Sequence, residues 1–595
     1  MKIWRHYTMI IVFVTMMATL VYRAGYLAFL ERDFLQDQGQ ARTDRVEKIH
    51  TNRGVILDRN GEPLAVSTPV ISIWFDPEKD KISMDRLAEL AEITGVPESL
   101  LTSRIENGEN KRFVYLARRI SPGKAKAVKN MQIGVRYETE YRRFYPAGAF
   151  AAHVVGMTGI DDGGQEGIEL AMDENLKGSP GSKRVQRDRL GNVIRDLDFY
   201  VAPEFGKDVR LSIDLRLQFQ AYRELLSAVK YHQAISGSLV VLDVESGDVL
   251  ALVNEPSYNP NDFRDRNFSS MRNRVITDVY EPGSTVKPFA VLAALETEKF
   301  NRDSEIDTAP GYFMVGRKLI KDPINRGRLS FSEIIAKSSQ VGISKIALSI
   351  GERDVYDVLS RSGLNELPGT GLPGETTGFL SDRDLDKSVV RASLAYGYGV
   401  TASPLQIAQS YLTLATGGIR RQLKLIDGLP TEKDRRVFDE GFTRSVMHMM
   451  HGVVTDEGTA PKARISGFNV AGKTGTSRKA MAGGYDENRH VALFAGFAPA
   501  SQPKVVVVVV INEPKGEAVG GGASGCACFC TSSCSIAAID RCDADRTTRR
   551  NDKGTVGGSF RCSLNLFVEI PLTILIFGFL DWQLIREKLK LATFS

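Results

Sequence analysis

The stretch Glu281-Pro282-Gly283-Ser284-Thr285-Val286-Lys287-Pro288-Phe289 limits most what this chain can become. Pro282 and Gly283 break the backbone just before Ser284, so a helix can start there. Pro288 still falls in its first turn or so, where a missing N–H costs little. On that helix Ser284 and Lys287 share a face, which brings the amine within reach of the hydroxyl beside the positive end of the helix. A serine is a nucleophile at neutral pH only when a base takes its proton, and a partly desolvated lysine is such a base.

The spacing alone proves little, because it recurs at Ser121 to Lys124 and at Ser501 to Lys504. What sets this copy apart is the pair of motifs behind it, Lys337-Ser338-Ser339-Gln340-Val341-Gly342 and Ala471-Gly472-Lys473-Thr474-Gly475-Thr476-Ser477. Ser338, on a helix or its preceding turn, can pass a proton between the amines and a leaving group; a helix-capping serine is the bland alternative. Lys473-Thr474-Gly475 reads as a strand where a bare glycine lets a substrate pair along the edge, and a surface turn is its alternative. Lys473 would supply positive potential, Thr474 and Thr476 hydroxyls for a carboxylate. The N–H groups of Ser284 and Thr476 are the expected oxyanion hole, worth on the order of 3 kcal/mol per donor.

A chain of 595 residues exceeds what one core supports, so two or three domains are expected. The net charge of +5 gives no reason to expect nucleic acid, and the seven histidines form no metal spacing. No cofactor is expected. Behind Lys2, Arg5 and His6, the segment Tyr7 to Tyr22 carries no charge, and a further apolar run reaches Leu30 past Arg23. With no Ala-x-Ala-like cleavage site close behind, this reads as a retained membrane anchor whose basic tail stays in the cytoplasm. All six cysteines lie between Cys526 and Cys562, so the long stretch before them suits an oxidising compartment.

Gln36 to about Asn52 reads as a polar stalk. Arg53 to Ala65 alternates into a strand that turns at Asn60-Gly61. Arg142-Arg143-Phe144-Tyr145-Pro146 and Gly163-Gly164-Gln165-Glu166-Gly167-Ile168-Glu169 are charged motifs beside turns, which surface turns would also explain. From Val209 the pattern changes. Leu215 to Tyr231 has a helical apolar stripe, and two strands flank Glu245-Ser246-Gly247. Helical stretches follow at Phe331 to Ile350 and Pro404 to Thr416. Strands at Asn469 to Ser477, Val491 to Phe497 and Val505 to Ile511 close the pattern. Strands first and last with helices between predict an α+β fold, an antiparallel sheet with helices packed on it.

The three motifs, in this order behind an anchor, resemble the class B penicillin-binding proteins, the membrane-anchored D,D-transpeptidases that cross-link peptidoglycan. The resemblance covers residues 1 to about 516. The motifs at Arg53 to Gly61, Arg143 to Pro146 and Gly164 to Glu169 match that family's pedestal domain. The run Tyr396-Gly397-Tyr398-Gly399-Val400-Thr401-Ala402-Ser403-Pro404-Leu405-Gln406 is similar to the septal, penicillin-binding protein 3 type rather than the elongation type. The resemblance implies four segments: an anchor over 1–31, a pedestal over 32–208, a transpeptidase domain over 209–516 and a divergent tail over 517–595. It implies acylation of Ser284 by a stem peptide ending in D-Ala-D-Ala, loss of the last D-Ala, and attack by a neighbouring strand's amine. β-Lactams acylate the same serine and leave slowly. It further implies a periplasmic catalytic domain on the inner membrane, with a membrane glycosyltransferase and other division proteins as partners.

Two features depart from that family. Its middle motif is Ser-x-Asn, and here Gln340 replaces the Asn, lengthening the amide's reach by a methylene and predicting weakened turnover. After Lys515 the family's last helix gives way to Gly520-Gly521-Gly522-Ala523-Ser524-Gly525-Cys526. Read one base on, Gly522 to Cys534 can spell a small and apolar helix, which suggests a frameshift near Gly520. The cysteine spacing matches no zinc pattern. The run Leu564 to Leu580 is too interrupted to be read as a second span. Two rival functions remain open at this point: a β-lactamase-like enzyme or penicillin sensor, and a catalytically impaired scaffold of the division machinery.

Overall fold

The computed structural model describes residues 3–515, apart from 35–43, 50, 79, 81, 109–110, 188–192, 263–266, 431 and 482, together with residue 522. The cysteine cluster, the suspected frameshift and the apolar run at 564–580 lie outside the described residues.

Helix α1 (Ile3–Gly25) continues through a π turn to Leu30. With no buried residue, it is long and apolar enough to cross a membrane. The chain then enters two sheets. In one, β1 (Asp44–Ile49) later meets β6 (Gly181–Arg187) and β7 (Val193–Val201), in the order β1-β6-β7. The other is built on β3 (Pro63–Phe75), which pairs β2 (Ile56–Leu57), β4 (Val114–Ile120) and β5 (Arg136–Phe144) antiparallel. The turn between β2 and β3 falls where Asn60-Gly61 predicts it, with Gly61 at φ +87°.

The charged motifs of this region are not surface turns. Arg53, Arg143 and Glu169 are all buried. The Glu169 carboxylate accepts from Nε of both arginines, and Arg53 Nη1 reaches Asp173 at 2.6 Å. Three segments far apart in sequence are thus tied by one carboxylate, and deleting one member of such a buried set strands the charge of the others.

Asp58 joins this region to the next. It is fully buried, accepts from the N–H groups of Asn60 and Glu62 in its own turn, and accepts from Leu215 N at 3.1 Å. Leu215 opens α2 (Leu215–Tyr231), and β8 (Val209–Arg210) ahead of it pairs parallel with β2.

Helix α2 packs on the hairpin of β9 (Ser236–Asp243) and β10 (Val249–Glu255), which turns at Gly247 as predicted. The sheet is completed by β11 (Ala471–Met481), β12 (Gly484–Ala498) and β13 (Val505–Asn512), in the order β10-β9-β13-β12-β11 and antiparallel throughout. The valine run lies in the central β13, buried along its whole length, which is why it does not alternate. The motif strand β11 lies at the edge.

Between the two halves of the sheet come the helices. They include α3 (Lys287–Glu296), α4 (Gln340–Ser349), α5 (Pro404–Ala415), which is buried throughout, and α6 (Glu440–His451). The single helix predicted over Phe331 to Ile350 is two. The first ends at Ala336, Ser338 takes a left-handed φ of +58°, and Ser339 caps α4 by accepting from Gly342 N at 2.9 Å. A helix cannot run through a left-handed residue.

Candidate active site

Ser284 lies in a 3-10 turn, Gly283–Val286, and α3 begins only at Lys287. Residues i and i+3 eclipse in such a turn, so Ser284 and Lys287 share a face by tighter geometry than the α-helix the sequence predicts. Close backbone packing fixes the turn. Gly283, at φ +54°, donates its N–H to Gly397 O at 3.1 Å, and the Tyr411 hydroxyl donates to Thr285 O at 2.8 Å. A Cβ on Gly475 would stand 2.7 Å from Pro282 O and 2.9 Å from Thr285 Cγ2. The glycine of the strand motif therefore admits the nucleophile's own turn against β11.

The side chains of Lys287 and Lys473 are fully buried and meet at Ser338. Lys287 Nζ donates to Ser338 O at 2.6 Å and to its Oγ at 3.1 Å, while Lys473 Nζ donates to the same Oγ at 3.0 Å. Lys473 Nζ also reaches Thr474 O at 3.2 Å. The two nitrogens are thus no more than about 6 Å apart, within the range where charges act on each other. The left-handed conformation of Ser338 lets a single residue present both its carbonyl and its hydroxyl to Lys287.

Desolvation lowers the Lys287 pKa from 10.5 to about 7, partly opposed by the charge of Asp322. A neutral amine has two hydrogens and one lone pair. Both hydrogens have acceptors on Ser338, and the lone pair is left as a base. Ser338 Oγ in turn spends both lone pairs on the two lysines, which leaves its own proton to donate.

Asp322 escaped the sequence reading. Its buried carboxylate accepts from Gln340 N at 2.6 Å, from Val341 N at 3.2 Å and from the Ser339 hydroxyl, clamping the start of α4 directly behind Ser338. It follows the hairpin strand Lys318–Lys321, and no motif spacing announces it. Gln340 contributes its backbone N–H to this clamp, and its side chain is half-buried. Thr474 is buried and exchanges a hydrogen bond of 3.0 Å with Thr459, another residue without a sequence signal, while Thr476 is exposed on the edge strand.

The decoy at Ser121 to Lys124 is a helix cap, Ser121 Oγ accepting from Lys124 N at 3.4 Å. Among the described residues, only the copy at Ser284 has its lysine, Lys287, brought to a second lysine through a bridging hydroxyl.

Residues 237–527 match the penicillin binding protein transpeptidase domain, and residues 48–211 match the penicillin-binding protein dimerisation domain. The peptidoglycan D,D-transpeptidase FtsI of Escherichia coli K12 is 40% identical over 513 residues, 85% of this chain and 87% of its own. A probable peptidoglycan D,D-transpeptidase of Pseudomonas aeruginosa, PbpC, is 39% identical over 493 residues, 83% of this chain and 87% of its own. Among solved structures, penicillin-binding protein 3 of Mycobacterium tuberculosis shares the fold with a TM-score of 0.64. It is 24% identical, and the match covers 84% of this chain and 97% of that one.

Proposed function

This chain belongs to the penicillin-binding proteins, and from that premise we propose that it is a septal peptidoglycan D,D-transpeptidase working through an acyl-enzyme on Ser284. The observation that carries the reading is the convergence of Lys287 and Lys473, one from the nucleophile's helix and one from the edge strand, on the hydroxyl of Ser338.

The chemistry follows from that arrangement. Lys287, neutral near pH 7, takes the Ser284 proton as Oγ attacks the carbonyl carbon of the penultimate D-Ala of a stem peptide. The oxyanion is held by the N–H groups of Ser284 and Thr476. The Ser338 hydroxyl delivers a proton to the leaving nitrogen, is recharged from a lysine ammonium, and free D-Ala departs. An amine from a neighbouring stem peptide then attacks the ester, loses its proton along the same path, and restores Ser284 as a new amide forms. Lys473, Thr474 and Thr476 receive the terminal carboxylate; Gly475 keeps the strand close to the nucleophile, and Gln340 contacts the substrate amide. A β-lactam opened by Ser284 keeps its leaving group tethered, so the adduct persists.

The same reading assigns residues 1–31 to a cytoplasmic tail and single membrane anchor, 32–208 to a pedestal, and 209–516 to the catalytic domain in the periplasm. Residues 517–595 are a divergent tail arising from a frameshift near Gly520, which resequencing the coding DNA there tests. A membrane glycosyltransferase that supplies glycan strands, and other division proteins, are the partners. The test is to supply the full-length protein and such a glycosyltransferase with lipid-linked peptidoglycan precursor, and to follow free D-Ala and cross-linked peptide. Equal amounts of both products that vanish in Ser284→Ala support the reading; D-Ala release without cross-links makes the protein a hydrolase.

A further inference from the structure

The loop between α6 and β11 belongs to none of the three motifs, yet it holds on to two of them. Lys337, the residue ahead of Ser338, donates from Nζ to Glu457 O at 2.8 Å, and Thr459 shares a hydrogen bond of 3.0 Å with Thr474, the residue after Lys473. The loop has little freedom of its own. Ala460 N donates to Val453 O at 2.8 Å, Gly458 N donates to Thr455 O at 3.0 Å, and a Cβ on Gly458 would collide with the carbonyls of Gly452 and Val453. A fixed backbone thus brings the Thr459 hydroxyl to Thr474.

What it does there follows from the hydrogens available. A hydroxyl has one hydrogen and two lone pairs. Thr474 Oγ1 accepts from Lys473 Nζ at 3.5 Å, which engages one lone pair. A carboxylate can only accept, so Thr474 serves it only by giving up its hydrogen. Were that hydrogen spent on Thr459, Thr474 would have none to offer. The arrangement that leaves it free has Thr459 as the donor, and among the described residues Thr459 has no other acceptor for its own hydrogen. Thr474 is 7% exposed, so it is not sealed from a ligand. A hydroxyl that accepts two hydrogen bonds is also polarised into a better donor.

We infer that Thr459 is a positioning residue for carboxylate recognition: it holds the Thr474 hydroxyl with its hydrogen turned to the terminal carboxylate of a stem peptide or the carboxylate of a β-lactam. The inference rests on the transpeptidase reading, in which Lys473, Thr474 and Thr476 receive that carboxylate.

The test compares acylation of the full-length protein in detergent by benzylpenicillin and by its methyl ester, whose carboxylate is capped, with both rates followed by intact-mass spectrometry. Thr459→Val removes the donor and keeps the shape of the side chain. It should slow benzylpenicillin by about three- to tenfold, the loss of one hydrogen bond, and the methyl ester by less than about twofold. Thr459→Ser should restore the benzylpenicillin rate. Thr459→Ala should show the same split between the two compounds, and it decides the matter if Thr459→Val does not fold. Equal slowing of both compounds would make Thr459 a structural support of the loop, and an unchanged or faster benzylpenicillin reaction would make Thr474 the donor to Thr459; either result overturns the inference. A Ser284 adduct that shows the split, in a protein that forms no cross-links, would keep the inference and sink the transpeptidase reading.

Discussion

The most informative perturbation is pH, because the proposed base is the fully buried Lys287, whose pKa falls to about 7. Moving a lysine from its usual 10.5 to that value reflects about 5 kcal/mol of differential stabilisation of its neutral form. The sign is fixed by chemistry, since only the neutral amine can accept the Ser284 proton. Above pH 7 most of the protein carries the competent amine, at pH 6 about a tenth does, and at pH 5 about a hundredth. The second-order rate constant for acylation by a fluorescent penicillin, measured by stopped flow between pH 5 and 9, should therefore rise about tenfold per pH unit and level off above about 7. A rate that is flat across this range, or that climbs toward pH 10, would refute the assignment of Lys287 as base.

Three further perturbations test the parts around it. Ser338→Ala removes the hydroxyl on which both amines meet; losing one charge-assisted hydrogen bond in the transition state costs about 1.5–3 kcal/mol, so acylation kinetics should slow by roughly ten- to a hundredfold, and an unchanged rate would contradict the relay. Asp322→Asn takes away the charge that supports protonated Lys287, so the acidic limb of the pH profile should move below 7 while the plateau falls, because the start of α4 is held less firmly. A limb that moves upward instead would show the sign to be wrong. Gln340→Asn restores the Ser-x-Asn spacing that the resemblance implies and should raise the acylation rate; no gain would mean that the extra methylene is tolerated.

What could be read from the sequence was local. Asn60-Gly61 and Glu245-Ser246-Gly247 announced their turns, and the apolar stripe of Leu215 to Tyr231 announced a helix with those bounds. The motifs picked out Ser284, Ser338 and Lys473 in order, but spacing could not show that two lysines nearly two hundred residues apart share one hydroxyl. Nor could it show the break at Ser338. Its left-handed backbone stands just ahead of Ser339, whose hydroxyl donates to Asp322, and polar residues after Ala336 look equally like a helix surface. Asp322 stayed hidden because a lone carboxylate after a short strand carries no periodicity. Arg143 and Glu169 resembled surface turns because each is charged and stands beside a proline or a glycine, and only the tertiary fold pairs them with each other and with Arg53. Gly475 had a reason the sequence could not supply, the backbone of Pro282 against its α-carbon.

Everything rests on one hydroxyl being uniquely reactive. Intact-mass spectrometry of the full-length protein after exposure to benzylpenicillin, followed by peptide mapping, measures this directly. A single covalent adduct on the peptide containing Ser284, persisting for many minutes and absent from Ser284→Ala, is the predicted result. An adduct elsewhere, or none on the folded wild-type protein, would contradict it.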